Sequence, residues 1–269
     1  MKKLYLILFL LPAACQPTLV AEFQDRPVVE CYLYAGTAVR VKVSKLVPFR
    51  DDVSFSDEDV DRLHLAIHDE TAGSVYPLTS QGGGGLYAGG DFRPEAGHAY
   101  RLQFAYDGVQ VTAATQVAPL PENAQCPKTT ITAGFGGSPG GSFDSEAMEP
   151  VAITWDNPSA DYYIVTAACD TSAAYTPVRG EPNETSAAPL WFRSEVTQGT
   201  SIQLSPQSFS YYGTYTIKLC RIQPEYVLLC QRMNSRSENL AELNANVVNG
   251  YGIFTGIGSK DFRVHVISN

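Results

Sequence analysis

At 269 residues, with 28 acidic side chains against 19 basic ones and a formal charge of −9, the chain offers nucleic acid no basic footprint and anionic lipid no electrostatic docking surface. Its length suffices for two ordinary domains with separate cores. Six cysteines without a Cys-x-x-Cys spacing argue against a structural zinc site and for buried thiols, with room for one disulfide in an oxidising compartment.

Residues 1–14 read as an export signal: Lys2 and Lys3 open it, Leu4 to Leu11 form an apolar run, and Pro12-Ala13-Ala14 close it. The run is too short to span a bilayer, which takes roughly 20 apolar residues, and no later segment reaches that length. Small residues directly before Cys15 resemble the bacterial lipobox, in which that cysteine is acylated, although Leu11 stands one place further from it than usual. On this reading Cys15 is the lipidation site and 15–25 a lipidated tether, stable because several acyl chains hold where one is marginal. The alternative is ordinary signal cleavage and a soluble secreted protein.

From 26 to 119 the chain reads as a β-sandwich. Short apolar runs of period two are separated by Gly, Pro, Asn and Asp. Val29, Cys31 and Leu33 share one face, as do Val39, Val41 and Val43, and then Leu63, Leu65 and Ile67. Strands over 100–106 and 109–117 flank an Asp107-Gly108 hairpin turn. The segment 120–148 is rich in Gly, Ser and Pro and reads as a linker or long loop. A second strand series over 149–269, with Trp155, Tyr163, Tyr215, Ile217 and Leu219 on apolar faces, reads as a fibronectin- or immunoglobulin-like sandwich. Helical spacing after Pro224 inserts one helix near 224–236. The expected fold class is therefore all-β, two β-sandwich domains, the second with one inserted helix.

Several motifs invite chemistry. Gly136 to Gly140 matches the G-x-S-x-G elbow, with Asp161 and His265 in triad order. However, Pro139 follows Ser138 and has no N–H for an oxyanion hole. Asp57, Asp59 and Asp61 have the spacing of the first ligands of a calcium loop, but Arg62 stands where that loop needs Gly. A solvated acidic loop is the plainer reading. His64 and His68 on a strand share a face yet lie roughly 13 Å apart, too far for one ion, and His98 and His265 have no evident partner. The glycine run Gly82 to Gly85 lacks the Lys-Ser/Thr of a phosphate loop and reads as a flexible loop. Trp191-Phe192 and Tyr211-Tyr212 are candidate stacking platforms for sugar or peptide, although one member of each adjacent pair on a strand normally enters the core.

The segments "VVECYLY", "GHAYRLQFAYDGVQVTAATQVAPLP", "VAITWDNPSADYYIV" and "VVNGYGIFTG" together resemble a family of exported Bacteroidota lipoproteins catalogued as domain of unknown function 4249. The family usually has Gly where Cys31 stands. The resemblance implies a lipid-anchored outer-membrane protein, exposed at the cell surface, whose relatives are commonly encoded beside TonB-dependent transporters. It therefore implies a non-catalytic accessory subunit that binds or caps an importer, needing no cofactor and offering no catalytic residues to carry over. The competing expectation is a stand-alone adhesin or glycan-binding lipoprotein.

Overall fold

The computed structural model describes residues 25–45, 58–132, 150–170, 178, 190–234 and 246–267. In chain order these form β1 (Pro27–Tyr34), β2 (Arg40–Lys45), a helical turn α1 (Glu58–Asp61), β3 (Ala66–Asp69), β4 (Ser74–Pro77), β5 (Thr79–Ser80), β6 (Leu86–Ala88), β7 (Ala99–Tyr106) and β8 (Val109–Gln116). There follow β9 (Glu122–Gln125), β10 (Thr130–Thr132), β11 (Val151–Asp156), β12 (Tyr162–Cys169), β13 (Trp191–Arg193), β14 (Ser201–Leu204), β15 (Gly213–Ile222), helix α2 (Pro224–Asn234), β16 (Val247–Val248) and β17 (Tyr251–Ile267). Among the described residues the fold is all-β with one substantial helix, as the sequence predicts.

Successive strand residues face opposite ways, so Val29, Cys31 and Leu33 are buried while Glu30 is exposed, and Val41 and Val43 are buried while Lys42 is exposed. The first sandwich sets β1, β2, β6 and β5 against a sheet of order β16-β8-β7-β3-β4, and the second sets β13, β12 and β15 against β14-β11-β9. Each has its own apolar core, one centred on Leu33, Ile67, Leu102 and Phe104, the other on Ile153, Tyr163, Ile217 and Val264.

One strand belongs to both. Tyr251 to Ile257 of β17 pairs in parallel with β1, and Gly258 to Val266 pairs antiparallel with β15. A single nine-stranded sheet thus runs through both sandwiches. Periodicity placed all of 149–269 in the second sandwich; instead β16 pairs with β8, and Val247 and Phe254 enter the first core. Alternation tells which face a strand buries but not which strand lies beside it. The expected linker over 120–148 also begins with structure, since β9 pairs with β11 and β10 with the end of β17. The sequence of β9, Glu-Asn-Ala-Gln, is exposed or half-exposed throughout, so backbone pairing holds it and no hydrophobic period shows. Residues 133–149 lie outside the described residues.

The crossing of β17 from one sandwich to the other demands missing side chains. A Cβ on Gly256 would lie 2.3 Å from the Gln116 carbonyl oxygen and 2.5 Å from the Val117 Cα. Gly256 N–H donates to Thr115 Oγ1 at 3.0 Å, and the Thr115 hydroxyl donates to Glu225 Oε1 of α2 at 2.5 Å. Helix α2 covers the outward face of the long sheet at this junction. Val227 packs with Ile257, Cys220, Ile222 and Ile164, beside Tyr32, Tyr34 and Tyr226. That cover explains why Ile164 and Cys220 are buried although they interrupt the inward-facing series of β12 and β15.

Candidate functional site

The segments that carry the family resemblance build the frame. Asn246 brackets Phe254, accepting from its N–H at 3.1 Å and donating to its carbonyl at 2.6 Å, and donates to the Ala114 carbonyl at 2.8 Å. Asn157 closes the β11–β12 turn by accepting from Asp161 N–H at 2.9 Å, and its amide nitrogen donates to the Gln198 carbonyl at 2.8 Å. Trp155 and Tyr163 pack with ring centroids 5.0 Å apart in the second core.

The candidate chemical residues are scattered. Cys15, Asp57 and Ser138 lie outside the described residues. Asp59 is paired with Lys45 at 2.5 Å and Asp61 accepts from Gly85 N–H, so these two carboxylates are held by protein groups. Gly85 is buried, with a positive φ, and a Cβ there would lie 1.9 Å from the Val43 carbonyl oxygen, so the end of the Gly82 to Gly85 run is a packed crossing where a flexible loop was expected. Asp161 is paired with Arg221, and His265 Nδ1 lies 3.0 Å from Thr214 Oγ1. Thr214 and Arg221 stand near opposite ends of β15, seven residues and roughly 23 Å apart along the strand, so Asp161 and His265 form no dyad. The stacking platforms do not assemble. Trp191 is 60% exposed, but Phe192 turns inward against Phe209, at 5.5 Å between ring centroids. Tyr211 is buried, its N–H donating to Tyr215 Oη at 3.0 Å, and Tyr212 packs partly on the same core. As alternation requires, one member of each pair is core.

Two places do gather polar groups. The first is His98 and Asp69. Asp69 is 3% exposed, accepts from Thr71 and Ala72 N–H at 3.0 and 2.9 Å, and lies 2.8 Å from His98 Nδ1. Burial pushes the Asp69 carboxyl upward, but these donors more than offset it and hold it below the ordinary carboxylate range. The hydrogen bond to Asp69 in turn raises His98 above the ordinary imidazole value. On the far side, His98 Nε2 lies 3.5 Å from Glu95 Oε2. A carboxylate occupies the place a nucleophile would need, so the pair fastens β3 to the start of β7.

The second is the outer face of β3, β7 and β8. Inward positions Ile67, Leu102, Phe104 and Val111 fill the core, which leaves Ala66, His68, Arg101, Gln103, Ala105 and Gln110 turned outward. Arg101 Nε donates to Glu70 Oε1 at 2.6 Å and its Nη1 to Gln103 Oε1 at 2.5 Å. Beside them is a cavity of about 330 Å³ lined by apolar Leu63, Ala66 and Ala105 and by Arg62, His64, His68, Gln103 and Gln110. His64 and His68, excluded as a metal pair by their spacing, thus flank one concavity. Gln103, Ala105 and Gln110 escaped the sequence reading. Their signal is a run of small or uncharged outward residues, where a solvated sheet face normally carries charge.

Together these features define an all-β protein of two sandwiches fused through one strand. The chain belongs to the family described as Domain of unknown function (DUF4249), whose model matches residues 16–263. Among solved structures it is similar to a two fibronectin type-III domain segment from chicken tenascin, at 12% identity over 90% of this chain and 99% of that one, with a TM-score of 0.24. It is also similar to the IG1+IG2 segment of DIP-gamma, at 11% identity over 91% of this chain and 99% of that one, with a TM-score of 0.21. No curated protein matches the chain in sequence.

Proposed function

We propose that this protein is a lipid-anchored outer-membrane protein, tethered through Cys15 and exposed at the cell surface, that serves as a non-catalytic accessory subunit of a TonB-dependent nutrient importer. The observation that carries the binding role is the architecture itself. Two sandwiches are joined through β17, with the outer face of β3, β7 and β8 left open, while Asp59, Asp61, Asp69, His98 and Asp161 are engaged by neighbouring protein groups. Pro27 begins β1 only twelve residues on from Cys15, a reach of at most about 40 Å. An acylated Cys15 therefore keeps the first sandwich close to the membrane, where an importer barrel is within touch.

Extraction of the native protein in mild detergent, followed by mass spectrometry of its N-terminus and of whatever accompanies it in fixed ratio, tests the proposal. The expected result is an acylated Cys15 and a stoichiometric barrel protein. A Cys15→Ser variant that still fractionates wholly with membrane would overturn the tether, and an acylated protein found alone would overturn the partnership. In that last case the exposed indole of Trp191 favours the stand-alone adhesin or glycan-binding reading.

A further inference from the structure

The exposed indole of Trp191 stands at one end of a row of side chains that crosses four strands. Trp191 of β13 lies opposite Ala168 of β12, Ala168 opposite Thr216 of β15, and Thr216 opposite Arg263 of β17. Alternation turns all four away from the second core, which takes Phe192, Ala167, Ile217 and Val264 instead. Ala168 and Arg263 are exposed like the indole, and Arg263 has no hydrogen-bond or ion-pair partner among the described residues. Beside this row runs a second, of Arg193, Thr166, Lys218 and Asp261. Arg193 Nη1 donates to Cys230 Sγ at 3.1 Å, so α2 bounds the strip on that side.

Length and charge decide what fits. Four strands about 4.8 Å apart make a row of about 14 Å, the reach of a short chain of small rings and more than one ring needs. The polar groups along it carry both signs. Arg263 and Lys218 donate, while Asp170 accepts from Thr216 Oγ1 at 2.9 Å and Asp261 from Lys218 Nζ at 2.5 Å. An anion would meet Asp170 and Asp261, and a cation would meet Arg263 and Lys218. A hydroxyl both donates and accepts, so a neutral ligand dense in hydroxyls uses both kinds of group. The C–H face of its ring suits the electron-rich face of the indole.

We infer that this strip binds a neutral oligosaccharide, one sugar ring stacked on Trp191 and the following rings running over Ala168 and Thr216 toward Arg263. The inference does not rest on the importer partnership, because the strip lies on the second sandwich and requires neither the tether nor a second protein.

The test runs the full chain carrying Cys15→Ser through native gels that contain a soluble β-glucan, a galactomannan, an α-glucan or, as the charged comparison, polygalacturonate. The sequence has only 2 tryptophans, and Trp155 is buried, so quenching of indole fluorescence by acrylamide reports on Trp191. The expected result is retardation by at least one neutral polysaccharide, and protection of the fluorescence by the trisaccharide of the same linkage. The corresponding single sugar, which fills only the indole end, should protect about tenfold more weakly. Trp191→Ala should weaken binding about tenfold with the melting temperature near native, because the side chain is exposed. Arg263→Gln should weaken it about threefold, and Val75→Ala, an exposed change on the first sandwich, should leave it unchanged. No retardation by any neutral polysaccharide, tighter binding of polygalacturonate, a single sugar as good as the trisaccharide, or unchanged binding in Trp191→Ala would each overturn the inference. A barrel protein that accompanies a chain without glycan affinity would leave the importer reading standing and remove this one.

Discussion

His98 Nδ1 stands 2.8 Å from Asp69 Oδ2, and this contact joins the end of β3 to the residue just before β7. Its contribution to stability has a pH window with two edges. His98 is raised above the ordinary value near 6.5, so its share is complete below that value and is lost as pH rises through the folded pKa. Asp69 is lowered below its ordinary value, so its share is complete above about 4 and is lost as pH falls through the folded pKa. The difference in melting temperature between the native chain and His98→Gln should therefore be greatest between about pH 4 and 6.5 and shrink on either side. Asp69→Ala, which also strands the N–H groups of Thr71 and Ala72, should cost about 2–4 kcal/mol in denaturant titration at pH 6. A pH-independent difference for His98→Gln would refute the ionic account.

The glycine crossing makes a sharper steric prediction. Gly256→Val places branched carbon where the Gln116 and Val117 backbone already stands. Backbone cannot yield as a flexible side chain does, so a loss of about 3 kcal/mol or more is expected. Gly36→Ala is a suitable control, because no heavy atom lies within 4 Å of its added Cβ and only its positive φ resists. It should cost about 1 kcal/mol. Equal losses for the two would mean that strand crossing is not what the motif glycine serves.

Asn246 supplies three hydrogen bonds at the entry to β17, to Ala114 and to both backbone groups of Phe254. Asn246→Ala should cost about 2–3 kcal/mol. Because Phe254 sits in the first core, amide exchange should quicken in β1 and β8 before β11 and β14. Uniform quickening would argue against a local role.

The thiols of Cys31, Cys126, Cys169, Cys220 and Cys230 are all free, and four of them are buried. Burial pushes the Cys220 thiol up to about 12 and raises Cys31 further still. A reducing agent should leave the melting temperature unchanged. A thiol reagent at pH 8 should react first at half-buried Cys126 and reach the other four only on unfolding. Rapid modification of Cys31 or Cys220 in the folded chain would contradict their burial.

How the strands face their cores was legible from alternation alone, since Val29, Cys31 and Leu33 or Tyr215, Ile217 and Leu219 leave little choice. Pro224 and the spacing after it located α2. Which strands meet was not legible: nothing in "YGIFTGIGSKDFRVHV" tells that its first half pairs with residues near position 30 and its second with residues near 218. Pairing is a backbone property and leaves no mark in side-chain period. The junction cluster was hidden for a related reason, because Ile164 and Cys220 look like breaks in a pattern until α2 is seen to cover them. The outer-face concavity was half legible. Period-two spacing puts His64 and His68 on one face, but Ala66 and Ala105, the small residues beside them, carry no motif.

The shared strand also sets an order on the making of the molecule. A ribosome releases residues 27–116 long before it releases 251–257, so the first sandwich waits for β17 to supply the neighbour of β1. Until then β1 carries an open edge, and closing it joins residues more than 200 apart in sequence, a slow kind of contact to form. A nascent chain of this design stays unfinished until β17 has emerged. Expressed halves divided anywhere between 120 and 150 would each lack part of a sheet, the first exposing an unpaired strand prone to pair with its own copies.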